Sequence, residues 1–244
     1  MKQLGPGMAN MRLKACSSVA MAVFLLHTSA RPKPQPAAAT LIRKISAMRQ
    51  VDSWRANFIC EKRLAVLQHP FISSGVMAIA RPDHVRFDTL KPYHSCIILA
   101  GRMVYLRGQT NRHWHTAALS RAQAISLIMD QMADWALGHT TGLQQNYRIT
   151  RHVAAEPPQP DAGGGKTAKT KPSGRLCTFF TLNPRKGLPG RVVTHLTLGF
   201  IRHSARLVFF AIDQKNGDRQ QYWIKAAQLN PHLPANYFKP AGRP

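Results

Sequence analysis

The chain has 244 residues, of which 44% are apolar, and this is enough for one domain with a real core and extended ends. Its formal net charge of +24, from 34 basic and 10 acidic residues, favours a polyanion or an anionic membrane as partner. The acidic residues are scattered singly, which leaves no carboxylate pair for hydrolysis, and Ser73-Ser74-Gly75 lacks a nucleophile-elbow pattern. The sequence therefore argues against an enzyme.

The N-terminal segment has the composition of an export signal. Three basic residues precede the apolar run Ala15 to Leu26, and a small-residue site follows at Ala30. The run is too short to cross a hydrocarbon core of about 30 Å as a helix. We predict a signal peptide over residues 1–30 and a soluble, exported protein in the periplasm; the alternative is an uncleaved membrane anchor. Export argues against nucleic acid as the partner.

The first predicted helix follows a Pro- and Ala-rich stretch. Residues 31–39 are predicted to be a flexible mature N-terminus. From Thr40, placed to cap a helix, apolar residues recur at three- to four-residue spacing. These residues are Leu41, Ile45, Met48, Val51, Trp54 and Phe58.

Short segments of β character follow, separated by turn residues. The predicted strands cover residues 58–66, 75–80, 85–89, 95–99 and 103–107, and Pro82, Pro92 and Gly101 mark turns between them. Strands joined by such short turns must pair antiparallel, because parallel pairs need long crossovers. The sequence therefore predicts a meander.

A second helix is predicted over residues 120–138. Ser120 and Gln123 form a capping box, and Gly138 ends the pattern. Two interpretations remain open, a helix permanently packed on the sheet and a movable lid over a cavity; the methionines, which adapt to irregular ligands, favour the lid. The apolar stripe comprises Ile125, Ile128, Met129, Met132 and Trp135.

The second half of the chain repeats the β pattern around an insertion. A strand is predicted over residues 147–152, whereas residues 154–175 contain no apolar side chain larger than alanine and are predicted to be disordered. Strands follow at 176–182, 191–200, 207–213 and 219–225, with Asn216-Gly217 in the last hairpin.

Neither cysteines nor histidines indicate a metal or a cofactor. Cys60, Cys96 and Cys177 permit one disulfide and a free thiol, or they are small buried hydrophobes in strands. His113 and His115 lack an acidic or third ligand nearby in sequence and are interpreted as exposed strand histidines.

The order of residues between 75 and 105 resembles one family. Its early strands carry a glycine, an Arg-Pro pair, a basic-aromatic pair, a proline, a hairpin glycine and an aromatic residue. Here these are Gly75, Arg81-Pro82, Arg86-Phe87, Pro92, Gly101 and Tyr105. The segment resembles the outer-membrane lipoprotein carrier proteins (LolA-like), and weaker similarity, at Leu182-Asn183-Pro184, the Gly217 hairpin and Phe238-x-Pro240, extends over residues 41–240. The implied fold is α+β, a strongly curved antiparallel half-barrel whose helices cover a concave apolar face.

The resemblance also implies a function. A single domain over residues 40–240 is expected to act as a periplasmic carrier or chaperone that encloses acyl chains of lipoproteins or related lipids and passes them toward the outer membrane. The implied partners are an acylated lipoprotein or lipid cargo, an inner-membrane lipoprotein-releasing or lipid-export transporter, and an outer-membrane acceptor. We expect a monomer that binds no nucleic acid.

Site residues follow from the same resemblance. Arg81 matches the family arginine that bonds to the helical lid in the empty form, which implies that it gates the cavity; the alternative is an arginine that only caps a turn or faces solvent. The residues expected to line the cavity are Trp54, Phe58, Phe87, Ile125, Ile128, Met129, Met132, Trp135, Leu196, Leu198 and Phe200.

Two other functions remain open at this stage. One is a regulatory module that uses the same fold to sense lipid or lipoprotein without transporting it. The other is a basic exported protein that binds polyanions, with a steep salt dependence and no affinity for lipids.

Overall fold

One open antiparallel sheet dominates the structure, a computed structural model that describes residues 36–101, 103–108, 113–118, 131–160, 174–185 and 192–240. The predicted signal peptide and the stripe residues Ile125, Ile128 and Met129 lie outside these residues. The helices are α1 (Pro36–Ser46), α2 (131–136) and α3 (Leu143–Asn146). The strands are β1 (Ser53–Arg63), β2 (Phe71–Ala80), β3 (His84–Lys91), β4 (Ser95–Ala100), β5 (Met103–Arg107), β6 (His115–Ala118), β7 (Tyr147–Ala155), β8 (Leu176–Pro184), β9 (Val193–Ile201), β10 (Leu207–Gln214) and β11 (Arg219–Leu229).

The sheet is made of two meanders joined at its centre. Among the described residues the strand order is β6-β5-β4-β3-β2-β1-β11-β10-β9-β8-β7. Each strand pairs antiparallel with its neighbour in the chain, and β1 pairs with β11 to join the two halves. The sheet is not closed, because β6 and β7 lie at its two edges. This confirms the predicted fold class, an α+β fold built on an antiparallel half-barrel, as a large open sheet with few helices.

The first helix begins earlier and ends sooner than the sequence predicts. α1 includes residues 36–39 of the predicted flexible segment, and its first residue is a proline, which is tolerated there because that N–H has no helical partner. The Thr40 hydroxyl donates to the Pro36 carbonyl (2.9 Å), a bond typical of a residue inside a helix and not of a cap.

Trp54 and Phe58 lie in β1 and not in the predicted helix. The buried side chains of β1 alternate through Trp54, Ala56, Phe58 and Cys60, which is the period of a strand. Positions four apart also fit a helical stripe, so the spacing alone misled the prediction. The other strands lie within a few residues of their predictions, and β5 matches its prediction in full.

Gly75 in the family-like segment allows two strands to approach closely. A Cβ at this position would lie 1.9 Å from the Asp88 carbonyl oxygen, and the pairing of β2 with β3 shifts register between Ser74 and Gly75. A side chain would therefore force the strands apart.

The start of the predicted insertion is ordered. Residues 154–155 belong to β7, the Glu156 side chain is buried, and Trp223 Nε1 donates to the Pro157 carbonyl (3.0 Å). The disorder predicted from residue 154 is therefore wrong for residues 154–160, while 161–173 lie outside the described residues. This segment contacts a small cluster on one face of the sheet, formed by Cys177, Phe179, Val208, Phe209, Ala211 and Trp223.

The larger core lies on the opposite face of the sheet. It includes Leu41 of α1, Met132 and Leu137 in and after α2, and side chains from both meanders, such as Val104 of β5 and Ile149 of β7. The helices therefore pack on the face that carries the candidate site.

Candidate functional site

An apolar cavity lies between α2 and the sheet. It has a volume of about 330 Å³, and we call it the first cavity. Its lining is aromatic and aliphatic, with Ser204 and Arg206 as its polar residues. The lining residues are Ala47, Met48, Trp54, Met132, Trp135, Ala136, Leu198, Phe200, Ser204, Ala205, Arg206, Leu207, Phe210, Ala227 and Leu229.

A second cavity of about 390 Å³ adjoins the first. Met132 and Phe210 line both, so these two side chains form the partition between them. Phe210 stacks on Tyr222 with ring centroids 4.2 Å apart, which holds its ring in place. The lining residues are Phe58, Cys60, Lys62, Ser73, Phe87, Thr89, Ile97, Met132, Phe210, Ile212, Gln214, Asp218, Gln220 and Tyr222.

The partition is made of groups that adapt to a ligand. Met132 is unbranched and has three rotatable bonds, so its side chain can adopt another rotamer beside a ligand. The Tyr222 hydroxyl donates to Gln220 Oε1 (3.1 Å), and burial raises the pKa of Tyr222 well above its ordinary value. The tyrosine therefore stays neutral. Together, the two cavities suit a long apolar chain.

Arg81 fastens the end of α2 to the segment between α1 and β1. Its guanidinium donates to the carbonyls of Leu137 (2.7 Å), Arg49 (2.7 Å) and Val51 (3.2 Å). A fourth contact joins Nη1 to His139 Nε2 at 2.9 Å. One side chain thus links the segment after α2, which contains Leu137 and His139, to the segment between α1 and β1.

His139 is held by a second partner. Its Nδ1 lies 3.1 Å from Asp134 Oδ1, on α2. Because arginine can only donate, Nε2 must accept from Arg81, and Nδ1 must then carry the proton given to the carboxylate. The chain Arg81, His139 and Asp134 therefore stabilises the end of α2 in this closed position.

Gly138 brings backbone against backbone at the same place. Its φ of +84° is unfavourable for other residues, and a Cβ would lie 2.5 Å from the Arg49 nitrogen. The chain after α2 thus packs directly on the turn after α1, beside the Arg81 contacts.

The structure brings most of the predicted lining residues together. Trp54, Met132, Trp135, Leu198 and Phe200 line the first cavity, while Phe58, Phe87 and again Met132 line the second. Leu196 is buried in the core but lines neither cavity. Ile125, Ile128 and Met129 lie outside the described residues.

Sequence reasoning missed several residues of the site. Phe210, which lines both cavities, and Tyr222, which lines the second, were not identified. For Phe210 the reason is that β10 is buried on both faces from Val208 to Ile212 and gives no alternation to assign a face. Met48 was placed on the first helix, but not in the site. The paired strands β10 and β11 would have indicated them only once their register was known.

The three cysteines of the described residues are free and buried. Burial raises the pKa of Cys60 to about 11 and that of Cys96 to about 12, and it also raises the pKa of Cys177. This agrees with small buried hydrophobes in strands.

Residues 49–163 match the family model of the outer membrane lipoprotein carrier protein LolA. The match spans β1 to β7, with Arg81 and α2 inside it. Over these residues the chain is similar to that family. No curated protein matches the chain.

Several solved structures also resemble the chain. A LolA superfamily protein from Nitrosomonas europaea has 12% identity and a TM-score of 0.43, over 84% of this chain and 98% of that one. A putative outer membrane lipoprotein-sorting protein domain from Vibrio parahaemolyticus has 8% identity and a TM-score of 0.43, over 82% and 95%. The lipoprotein LppX from Mycobacterium tuberculosis has 10% identity and a TM-score of 0.40, over 85% and 98%. No helix among the described residues combines the length and the apolar character needed to cross a membrane.

Proposed function

We propose that this protein is a periplasmic carrier that encloses the acyl chain of a lipoprotein or related lipid and passes it toward the outer membrane. The observation that carries the proposal is the pair of adjoining cavities beneath α2, of which the first is lined almost entirely by apolar side chains. Arg81, which bonds to the Leu137 carbonyl after α2, supports it. The proposal includes an inner-membrane transporter that loads the carrier and an outer-membrane acceptor that unloads it.

The energetics of an acyl chain explain why a carrier is needed. Burying one methylene stabilises by about 0.8 kcal/mol, so exposing a sixteen-carbon chain to water costs roughly 12 kcal/mol. A carrier must replace most of that contact and still let the cargo leave. Cavities of about 330 and 390 Å³, separated by a methionine and one aromatic ring, provide apolar surface without a tight fit.

The contacts of Arg81 stabilise the empty state of the carrier. The bonds to the carbonyls of Arg49 and Val51 hold the guanidinium in place. The bond to the Leu137 carbonyl and the contact with His139 form only while the segment after α2 lies against the segment between α1 and β1. Cargo that displaces α2 breaks them, and their recovery favours release. In this proposal Arg81 is the gate, and α2 is a movable lid.

Native mass spectrometry tests the proposal. The protein is exported into the periplasm of a bacterial host, purified without detergent and measured intact, and bound lipids are identified after denaturation. We expect a stoichiometric acylated adduct. The matched variant Met132→Trp fills the junction between the two cavities, and we expect it to carry much less acyl lipid.

Two outcomes would contradict the carrier function. One is a protein that is empty as purified and takes up no palmitate or acylated peptide when offered; this result favours the polyanion-binding alternative. The other is a protein that binds acyl chains but never transfers them to acceptor vesicles, as expected of a sensor of lipids.

A further inference from the structure

A basic cleft opens beside the first cavity. It has a volume of about 520 Å³ and lies between α1, β7 and the turn after β9. Ala47, Ser204 and Ala205 line both the cleft and the first cavity, so the two spaces adjoin. The residues that line the basic cleft are Thr40, Arg43, Lys44, Ala47, Arg151, Val153, Thr178, Arg202, His203, Ser204 and Ala205.

The cleft concentrates positive charge without a counter-charge. Arg43, Lys44, Arg151 and Arg202 line it, and no lining residue is acidic. Within the described part of the chain, none of these four forms an ion pair with a carboxylate. Arg151 instead donates to the hydroxyl of Thr40 (3.3 Å). Four neighbouring cations without a carboxylate create a positive potential that stabilises an anion in the cleft.

Lys44 connects the cleft to the cavity. Its ammonium donates to the carbonyls of Ile201 (3.2 Å), Arg202 (3.3 Å) and Ser204, which fixes the turn after β9 against α1. The same nitrogen lies 5.7 Å from the centroid of the Phe200 ring, a wall of the first cavity. Burial, and secondarily Arg43, lowers the pKa of Lys44 from its ordinary value, as expected for a cation among other cations. The wall between the two spaces is therefore rigid and positively charged.

We propose that the basic cleft binds the anionic headgroup, a phosphate or carboxylate, of an amphiphile whose acyl chain lies in the first cavity. The inference rests on the proposed function and names its cargo class, an acidic acyl lipid. Arginine guanidinium groups bind such headgroups through paired, charge-assisted hydrogen bonds. The exposed Arg43, Arg151 and Arg202 supply them, while Lys44 holds the turn.

The charge around the cleft distinguishes lipids by their headgroups, whereas the cavity does not. An apolar cavity binds equal acyl chains equally well, whatever the headgroup. A neutral glycerol headgroup leaves the four cations uncompensated, whereas a phosphate makes several charge-assisted bonds, each stronger than a neutral hydrogen bond. Affinity for the acidic lipid must also fall with salt, because part of it is electrostatic.

Two ligands that differ only by a phosphate test the inference. Isothermal titration calorimetry compares palmitoyl lysophosphatidic acid with monopalmitoylglycerol, both below their micelle concentrations. We expect the phosphate-bearing lipid to bind at least tenfold more tightly at low salt. Inorganic phosphate alone should bind at least a hundredfold more weakly than the lysophosphatidic acid, because it lacks the chain.

Variants locate the effect in the cleft. The double variant Arg43→Gln with Arg202→Gln should lower the affinity for lysophosphatidic acid at least tenfold. The separate variant Arg151→Gln should lower it at least threefold. Both should leave the affinity for monopalmitoylglycerol unchanged. The control is Arg148→Gln, which removes the same charge from an exposed position of the same strand but not from the cleft. It should leave both affinities unchanged.

The outcomes separate this inference from the proposed function. Equal affinity for the two lipids, or an advantage of the phosphate that survives in the cleft variants, overturns the headgroup site but leaves the carrier intact. Inorganic phosphate that binds as tightly as the lipid also overturns it, since the cleft is then an anion site independent of cargo. Binding of neither lipid contradicts the carrier function itself.

Discussion

The two cavities beneath α2 differ in what surrounds them. The first is lined almost entirely by apolar groups, is bounded by the lid and adjoins the basic cleft. The second is lined partly by Lys62, Asp218, Gln220 and other polar side chains, and the described part of the lid reaches it only through Met132. A ligand is therefore held most firmly in the first cavity, while the second accepts the part of a chain that extends beyond Met132 and Phe210.

This difference assigns a direction to the cargo. In the proposed carrier, the headgroup would lie at the basic cleft, the first part of the chain would fill the first cavity, and the remainder would pass the partition into the second. The contacts of Arg81 and Gly138 would then control entry to the first cavity, and the second cavity would set the chain length.

The largest effect is expected from Gly138→Ala, which disturbs the packing of the segment after α2. The variant combines a positive φ with a Cβ placed 2.5 Å from backbone, so α2 must shift. We expect a loss of at least about 3 kcal/mol in the free energy of unfolding, measured in urea.

Gly101→Ala is the control for the Gly138 variant. Gly101 has a φ of +59°, but the nearest atom to an added Cβ is 3.8 Å away. Gly101→Ala should lose about 1–2 kcal/mol in the free energy of unfolding, the cost of the backbone conformation alone. Equal losses in the two variants would show that the close packing after α2 contributes nothing.

Arg81→Leu should strengthen cargo binding and slow release. Removing the bond to Leu137 and the contact with His139 destabilises the closed, empty form, so the equilibrium shifts toward the loaded one. We expect the dissociation rate of palmitate into acceptor vesicles, measured by stopped-flow fluorescence, to fall roughly tenfold to a hundredfold, since a charged hydrogen bond contributes about 1.5–3 kcal/mol.

Arg81→Lys should give an intermediate rate. It keeps the charge but not the planar fork that reaches several carbonyls together. An unchanged release rate in Arg81→Leu would contradict the gating role and leave Arg81 as an arginine that only fastens a turn.

Filling one cavity at a time should separate short chains from long ones. Ala227 lines only the first cavity and Ser73 only the second. Ala227→Leu should weaken both decanoate and palmitate about tenfold, the equivalent of about two displaced methylenes. Ser73→Leu should weaken palmitate alone, as measured by calorimetry. If the two variants lowered the affinity for decanoate equally, the proposed order, in which the chain fills the first cavity before the second, would be contradicted.

The smallest effect concerns pH and the second cavity. Burial raises the pKa of Cys60 from 9.0 to about 11, so the folded state favours the neutral thiol. This stabilisation is complete below pH 9 and is lost as the pH rises through about 11. Between pH 7 and pH 9.5 the wild type should lose about 0.8 kcal/mol more than Cys60→Ala in urea unfolding. Identical losses would show that the thiol is not buried in solution.

The strands of this fold were readable from the sequence, whereas its cavities were not. Turn residues such as Gly101 and Gly217, between alternating apolar segments, indicated most strands to within a few residues. Trp54 and Phe58 were placed on a helix because positions four apart satisfy both periods. Only the pairing of β1 with β2 and β11 decides between them.

The site depends on contacts between distant segments, which no local pattern contains. The resemblance pointed to Arg81, but its partners at Leu137 and Arg49 follow from how α2 packs on the turn after α1. The basic cleft likewise joins α1, β7 and the turn after β9, so its charges are scattered in the sequence.

Photo-crosslinking tests the central claim, that an acyl chain lies beneath α2 and extends through both cavities. Palmitoyl lysophosphatidic acid with a diazirine at the last carbon of its chain is bound, irradiated and mapped by peptide mass spectrometry. The account predicts adducts on lining residues of the second cavity, such as Phe58, Phe87 and Tyr222. Adducts confined to exposed side chains outside both cavities, such as Leu90 and Tyr93, would contradict it.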